Sequence, residues 1–444
     1  MEVNDSFVER IGKMLEKAEK ALAEYPLCNS CLGRLFAKYG VGLSNYERGQ
    51  ALKTLLAIKL YEKYTEGSLS KDQLRKMAIH AGEGIASMYR KVFGEDVLVS
   101  NCYICGNRLG SKLIEEIASR VCTELHKYEA STFLVGVTLD ESVSRRELEL
   151  VVKYGVETSE SIKREIKREV GKAVATLCKV TPDFSNPSVL IVVNVDSEFN
   201  YDISVKPSPI FLSGYYWKLG RRISHVPWYT KTGSRKYPLS IQEVVESVLK
   251  NIFMAEQVAI HASGREDVDA RMVGSGRPLI IELKSPKRRN VSVHELGEYV
   301  REALADSVVK LEVVSSASRN QVRLLKELSK RKRKAYRVTV YSLENVEPAD
   351  LRVVEEFFSN REVRQRTPLR IIRRKRDRER VRRVYAVKTR RVSNRVFEAL
   401  IYCDGGLYVK ELVHCDEGRT NPCFAGVLGK QLIPVELDVL YVEE

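Results

Sequence analysis

Long apolar runs are missing from this 444-residue chain. No stretch of about 18 consecutive apolar residues exists, which argues against a membrane-spanning helix. The opening Met1-Glu-Val-Asn-Asp-Ser6 has neither a basic leader nor an apolar segment, so no secretory signal is read and a cytoplasmic protein is expected. Tryptophan is scarce, with two residues, and no amphipathic Trp-rich face accompanies the arginines, which disfavours an anionic membrane as partner. Acidic residues are outnumbered: Lys+Arg 74 against Asp+Glu 59 leaves a formal net charge of +15. The surplus is uneven. From Arg361 to Arg395 sixteen Lys/Arg face three Asp/Glu (Glu362, Asp377, Glu379), so 16 − 3 = +13 sits in one segment. Such a field favours a phosphate backbone and makes binding salt-dependent. Its alternative is a disordered basic loop, and Arg373 to Arg376 is too weak a pattern to read as a nuclear address.

Cysteine is limited to nine residues, an odd number, of which four form two Cys-x-x-Cys pairs. In a reducing compartment this spacing suggests metal more than disulfides. Cys28-Asn-Ser-Cys31-Leu-Gly33-Arg34 and Cys102-Tyr-Ile-Cys105-Gly106-Asn-Arg108 each offer a turn, a glycine to fold the backbone over the sulfurs and a basic residue to offset thiolate charge. Four soft thiolates suit tetrahedral zinc, so a structural zinc on Cys28, Cys31, Cys102 and Cys105 is expected, with unmetallated buried thiols as the alternative. Cys122 and Cys178 lie in helix-like contexts and are read as core residues.

The length predicts two or three domains. Ser6-x-x-Glu9 reads as a capping box for an amphipathic opening helix. Helices are expected over Glu47 to Tyr64 and Lys71 to Phe93, between the cysteine pairs. From Tyr128 the pattern alternates: strand Ser131 to Leu139, a basic helix Ser159 to Cys178, and the buried strand Ser188 to Asp196, an α/β accessory domain. Lys163, Arg164, Lys167, Arg168 and Lys172 on that helix are either an RNA-contacting or a merely solvated face. Lys206-Pro-Ser-Pro209 is a joint, because its prolines resist helix and sheet, and it places the boundary between residues 1–208 and 209–444. Beyond it, the aromatics from Ile210 to Tyr229, interleaved with Lys218, Arg221 and Arg222, either stack bases or pack a strand pair. Helices follow over Ser240 to Glu256, Val293 to Ser307 and Gln321 to Lys330. Strands are predicted over Lys334 to Tyr341, Val384 to Lys388, Gly406 to Val413 and Leu437 to Val442.

Charge, turn residues and a strand concentrate between Ala262 and Pro286. Glu266, Asp267 and Asp269 sit in a polar segment that closes through Gly274, Gly276 and Pro278 into the strand Leu279 to Lys284. The stretch is either a solvated turn or a loop that presents a reactive carboxylate from a rigid scaffold. Read alone, the residues allow a metal-dependent nuclease, with Asp267 or Asp269 and Glu282-Leu-Lys284 as a D…E-x-K site. They also allow a single aspartate acting on a nucleoside, or an RNA-binding zinc protein without catalysis.

Several ordered motifs resemble the archaeal and eukaryotic tRNA pseudouridine synthase family that modifies positions 54 and 55 of the T-loop. They are Ser263-Gly-Arg-Glu-Asp-Val-Asp269, Ser275-Gly-Arg-Pro278, Tyr408-Val-Lys-Glu-Leu-Val-His414 and Gly418-Arg-Thr-x-Pro422. The entry Arg221-x-Ile-Ser-His-Val-Pro227-Trp228 and the cysteine pairs are also similar to that family. The likeness covers nearly the whole chain. It implies an α+β protein: a pseudouridine synthase domain with a mixed, mainly antiparallel sheet and a central cleft, preceded by a zinc-binding, THUMP-like α/β accessory domain. By the same match Asp267 is the catalytic residue and Asp269 its neighbour, Tyr336 packs against the target base, Lys410 on the Tyr408 strand pairs with Asp267, and Arg265 helps to hold the flipped uridine. It further implies tRNA as partner, no catalytic cofactor, and a stand-alone monomer. The basic segment becomes a phosphate track, and Glu282 and Lys284 become part of a supporting strand.

Overall fold

The computed structural model describes residues 3–328, 332–373 and 375–443; Lys330, named above, and Arg374, within the run Arg373 to Arg376, lie outside these. The described chain divides into two compact units, residues 1–208 and 209–444. No helix among the described residues is long and apolar enough to cross a membrane.

The first unit begins with α1 (Val3–Glu24), α2 (Asn29–Leu35), α3 (Asn45–Thr65), α4 (Lys71–Ala81), α5 (Glu83–Phe93) and α6 (Ser111–His126). Ser6 lies inside α1, not ahead of its first residue. The helix expected over Lys71 to Phe93 is two, because Gly82 adopts φ 86 and ends α4. Then come β1 (Thr132–Leu139), α7 (Glu141–Lys153), α8 (Ile162–Cys178), β2 (Thr181–Pro182), β3 (Val189–Val195) and β4 (Tyr201–Pro207). The sheet order is β2-β1-β3-β4, with β1 parallel to β2 and β3, and β4 antiparallel. Apolar alternation builds the core: Phe133, Val135 and Val137 of β1 and Val189, Ile191 and Val193 of β3 are buried against α6 and α8. Cys122 and Cys178 are joined as a disulfide, a pairing that the reducing-compartment argument did not suggest.

In the second unit β5 (Ile210–Lys218), the short β6 (Ile223–Ser224) and β7 (Leu239–Ser240), and α9 (Ile241–Phe253) lead to β8 (Gln257–Ala262) and β9 (Arg271–Lys284). After these come α10 (Val293–Ala303), β10 (Val309–Ala317), α11 (Arg319–Leu328), β11 (Arg333–Ser342), α12 (Pro348–Phe357), β12 (Arg361–Arg366) and β13 (Glu379–Arg391). The unit ends with β14 (Val396–Asp404), α13 (Val409–His414), β15 (Thr420–Asn421), α14 (Phe424–Leu428) and β16 (Leu432–Val442). The main sheet runs β10-β5-β9-β16-β11-β14-β13-β12-β15, with β8 also on β9. Among the described residues, the β9–β16 pairing is the one parallel ladder of this sheet.

Three expectations change here. The basic segment is not a loose loop: β12 and β13 pair antiparallel from Arg361↔Val384 to Arg366↔Glu379. Arginine stems pack along such strands while the guanidinium groups stay in solvent. The Tyr408 segment is helical instead of extended; Val409, Leu412 and Val413 are buried at helical spacing. Gly274 and Gly276 do not close a turn but lie within β9, where the backbone needs φ 68 and φ 78. A Cβ at Gly274 would stand 2.1 Å from the Leu440 carbonyl oxygen, and one at Gly276 2.7 Å from the Trp217 ring. Glycine here permits close approach of strands.

Candidate active site

β9 changes partner along its length. One edge pairs with β5 at Met272 and from Arg277 to Leu283, while the other pairs with β16 at Arg271–Met272 and with β8 from Leu279 to Lys284. The connection from β8 to β9, residues 263–270, therefore leaves the sheet where β8 and β16 part. This places Glu266 inward and Asp267 toward a cavity of about 880 Å³.

The loop is fixed from behind by buried charge. The Glu266 side chain is 1 % exposed; its carboxylate lies 2.9 Å from Arg277 Nε and 3.7 Å from Lys218 Nζ. Tyr216 Oη donates to Glu266 at 2.8 Å, and His225 Nε2 lies 2.8 Å from the same hydroxyl. Burial alone would favour neutral Glu266, but Arg277 and Lys218 outweigh it and bring its pKa down to about 2. Burial drives His225 down to about 4, so it is neutral at pH 7 and donates through Nε2. Lys218 Nζ donates to the carbonyl oxygens of Asp267 (3.0 Å), Val268 (3.2 Å) and Ile223 (3.2 Å). Gly264, at φ 81, turns the chain where a Cβ would lie 3.0 Å from Lys334 Nζ and 3.3 Å from Arg277 Nη1. The invariably charged Arg277 also donates to the Ser263 carbonyl at 2.9 Å. The backbone at Asp267 is thus over-determined, which positions a side chain to within the tolerance that catalysis needs.

Asp267 itself stays 35 % exposed. Its Oδ2 lies 2.9 Å from Arg370 Nη2 and 3.7 Å from Lys410 Nζ. Lys410 lies closer to Asp269, 2.5 Å from its Oδ2. The motif resemblance implies Lys410 as the partner of Asp267; the shorter contact comes instead from Arg370 of the basic segment. Arg370 Nε donates to Glu411 Oε1 at 2.6 Å, and Glu411 is 1 % exposed. Burial resists the charged guanidinium, but the two carboxylates raise its pKa. Nothing in the sequence spacing links Arg370 to Asp267, because the contact spans 103 residues (370 − 267).

Tyr336 on β11 and Arg265 on the loop also line the cavity. Tyr336 is 9 % exposed, and burial first, then nearby Cys403, raises its pKa, so its phenol is neutral. Asp267, Tyr336, Lys410 and Arg265 are thus brought to one cavity. Helix α13, which carries Lys410, is tied down by Gln365: its Nε2 donates to the Tyr408 carbonyl (2.9 Å), and the Tyr408 N–H donates to its Oε1 (2.8 Å). Cys415 and Cys423 form a disulfide just beyond this helix. Glu282 and Lys284 are elsewhere. Glu282 pairs with His261 Nε2 at 2.9 Å and Lys284 with Gln257 at 3.0 Å, and neither lines the cavity. The D…E-x-K nuclease site is therefore not assembled.

A family model described as "Pus10, C-terminal" matches residues 211–443, more than half of the chain. The chain belongs to the Pus10 family. A second model, "Pus10 THUMP domain, archaeal", matches residues 117–194, from α6 to β3. Relatives named tRNA pseudouridine synthase Pus10 align along almost the whole chain. The protein of Thermosphaera aggregans is 49% identical, over 97% of this chain and 97% of its own. That of Ignisphaera aggregans is 37% identical over 97% and 99%, and that of Methanocaldococcus jannaschii 32% identical over 100% and 98%. A solved Cbf5-Nop10-Gar1 complex contains a chain that is 17% identical, over 51% of this chain and 49% of that one, with a TM-score of 0.29, too low a likeness to add to the assignment.

The cysteine pairs converge in the first unit. The Sγ atoms of Cys28, Cys31, Cys102 and Cys105 lie within 4.8 Å of one another, and those of Cys28 and Cys105 are 3.6 Å apart. Tetrahedral zinc thiolates, with Zn–S of about 2.3 Å, need S···S of about 3.8 Å, so the four thiols fit a metal. Arg34, 1 % exposed, donates to Cys31 Sγ at 3.4 Å and is paired with Glu147 and Glu165. Gly33 serves a different purpose from the one its spacing suggested. A Cβ there would stand 1.9 Å from the Asn45 carbonyl oxygen, so it lets α2 and α3 cross. Gly106, at φ 57, does make the turn after Cys105.

Proposed function

We propose that the protein is a tRNA pseudouridine synthase that isomerises uridine at position 54, position 55 or both in the T-loop, with Asp267 as catalytic residue. The observation that carries this reading is the Asp267 carboxylate, held at a cavity by a loop whose carbonyl is fixed by Lys218 and sharing that cavity with an aromatic ring, Tyr336. The names borne by full-length relatives support the activity, and the motif resemblance supports the T-loop.

The chemistry moves a base without outside reagents. The N1–C1′ bond breaks, uracil turns, and a C5–C1′ bond forms. Asp267 acts on the sugar or on a proton, Tyr336 provides a face for the flipped base, and Arg265 holds the nucleotide. Unstacking that base costs about a few kcal/mol, which contacts to the rest of the tRNA offset. Arg370 and Lys410 place positive charge 2.9 Å and 3.7 Å from the Asp267 carboxylate. Residues 209–444 are the catalytic domain and residues 1–208 the accessory domain in this reading, and the protein works as a cytoplasmic monomer. Zinc is the metal that four thiolates favour at Cys28, Cys31, Cys102 and Cys105; when bound, it supplies a cross-link between α2 and the loop before α6.

Carbodiimide labelling and primer extension on transcript tRNA test the reading. Wild type should give a stop in the T-loop, and Asp267→Asn should abolish it while tRNA binding persists. Isomerisation by Asp267→Asn at the wild-type rate would overturn the assignment. Elemental analysis should find about one zinc per chain, lost in Cys28→Ser and Cys102→Ser; full metal retention in both would exclude the four-thiolate site.

A further inference from the structure

Two residues before Tyr336 on the same strand lies a lysine that the proposed chemistry has not used. Lys334 is 6 % exposed, yet it lines the cavity with Asp267 and Tyr336. Among the described residues its amine has no hydrogen-bond or ion-pair partner. In β11 alternate residues share a face, and Lys334, Tyr336, Val338, Val340 and Ser342 are its buried set. Side chains two apart on a strand stand about 7 Å from each other, so a base lying on the Tyr336 ring presents its edge toward Lys334. The amine also lies against Gly264, where a Cβ would stand 3.0 Å from it.

We propose that Lys334 is a further catalytic residue, whose amine touches the edge of the flipped uracil and accepts the proton that leaves C5. The inference rests on the pseudouridine synthase reading and adds a step to it. After C5 has bonded to C1′, C5 carries both that bond and its hydrogen, and C6=N1 is an imine. The proton passes from C5 to Lys334 Nζ. The C5–H electron pair becomes C5=C6, the C6=N1 pair moves onto N1, and N1 takes up a proton, so no proton is gained or lost overall.

An amine can take this role only if it is neutral during turnover. Burial, and then the charge of Arg277 on β9, depress the Lys334 pKa to about 7. Cys403, its register partner on β14, and Glu266 act in the opposite direction, and Lys332 on the same chain segment adds to the depression. Asp267 and Arg265 face the same cavity. This is the range in which a general base works best near neutral pH.

The test compares uridine and 5-fluorouridine in transcript tRNA, using the full chain. With fluorine at C5 there is no proton to remove, so C5–C1′ bond formation reports every earlier step. Lys334→Met should isomerise uridine about 10²- to 10⁴-fold more slowly, with an enlarged isotope effect for 5-deuterouridine. It should still form the C-linked fluoronucleoside, separated by chromatography after nuclease digestion, within about threefold of the wild-type rate. Lys334→Arg, which keeps a donor but cannot lose its proton, should be slow on uridine as well. Equal losses on both substrates in Lys334→Met, or wild-type uridine turnover by either variant, would overturn the proposal. Failure of wild type itself to isomerise uridine would instead overturn the reading beneath it.

Discussion

Lys334 and Glu266 are both buried beside Arg277, yet the same arginine acts on them in opposite ways. For Glu266 it is the main counter-charge, and the carboxylate stays ionised down to about pH 2. For Lys334 it adds to the penalty of burial, and the amine loses its proton near pH 7. The consequence for stability follows from proton counts. Between about pH 7 and 10.5 the unfolded chain keeps a proton on this lysine that the folded chain has lost, so stability rises with pH across that window. Below pH 7 both states are protonated and the burial penalty is fully present, at most about 5 kcal/mol for a shift of this size. Lys334→Met should therefore unfold at a higher temperature than wild type at pH 6, with the difference shrinking toward pH 10.5. Thermal unfolding at several pH values measures it, and a variant less stable at pH 6 would contradict it. Sequence pattern had no access to this residue. Alternation marks Lys334 and Tyr336 as one face of a strand, but only the fold shows that the face lines a cavity.

At the scale of elements, the loop between β8 and β9 was legible because its residues form a dense, ordered motif, whereas its partners were not. Lys410 lines the same cavity, but its motif reads as a strand and the segment is a helix. Six residues are too few for periodicity to separate helix from strand, and burial of Val409, Leu412 and Val413 decided it. Arg370 was hidden in a segment whose overall charge suggested only phosphate binding. Yet its side chain bridges Asp267 and the buried Glu411, so the β12–β13 connection reaches into the site. Arg370→Met should lower kcat about 10- to 100-fold, the effect of losing one charge-assisted hydrogen bond. It should also destabilise the fold by about 1–3 kcal/mol, because Glu411 is left buried without its counter-charge. Single-turnover isomerisation and denaturant unfolding read the two effects separately. Unchanged turnover would reduce Arg370 to a structural clamp on Glu411.

Across the whole molecule, the arithmetic of charge is clearer than its path. Of a net +15, the segment from Arg361 to Arg395 contributes +13, and the fold spreads it over two paired strands and the connection between them. Inside that connection the charges divide by what holds them. Asp377 takes Arg366 and Arg419, Arg370 turns inward, and Lys375 and Arg378 line the cavity, while Arg373 and Arg376 are exposed and do not line it. The inward arginine serves the carboxylate; the outward ones are left to meet phosphate. Counterion release sets the expectation, since each phosphate contact changes the slope of log Kobs against log salt by about 0.7 to 0.9. Replacing Arg373 and Arg376 together by alanine should weaken tRNA binding and flatten that slope by about 1 to 2, with kcat at saturating tRNA unchanged. Binding titrations at several salt concentrations measure the slope, and an unaltered one would mean that phosphate is gripped by other surfaces. The separation matters because the two groups of arginines share one connection. A loss of affinity with kcat intact marks the outward set, and a loss of kcat with affinity intact marks Arg370.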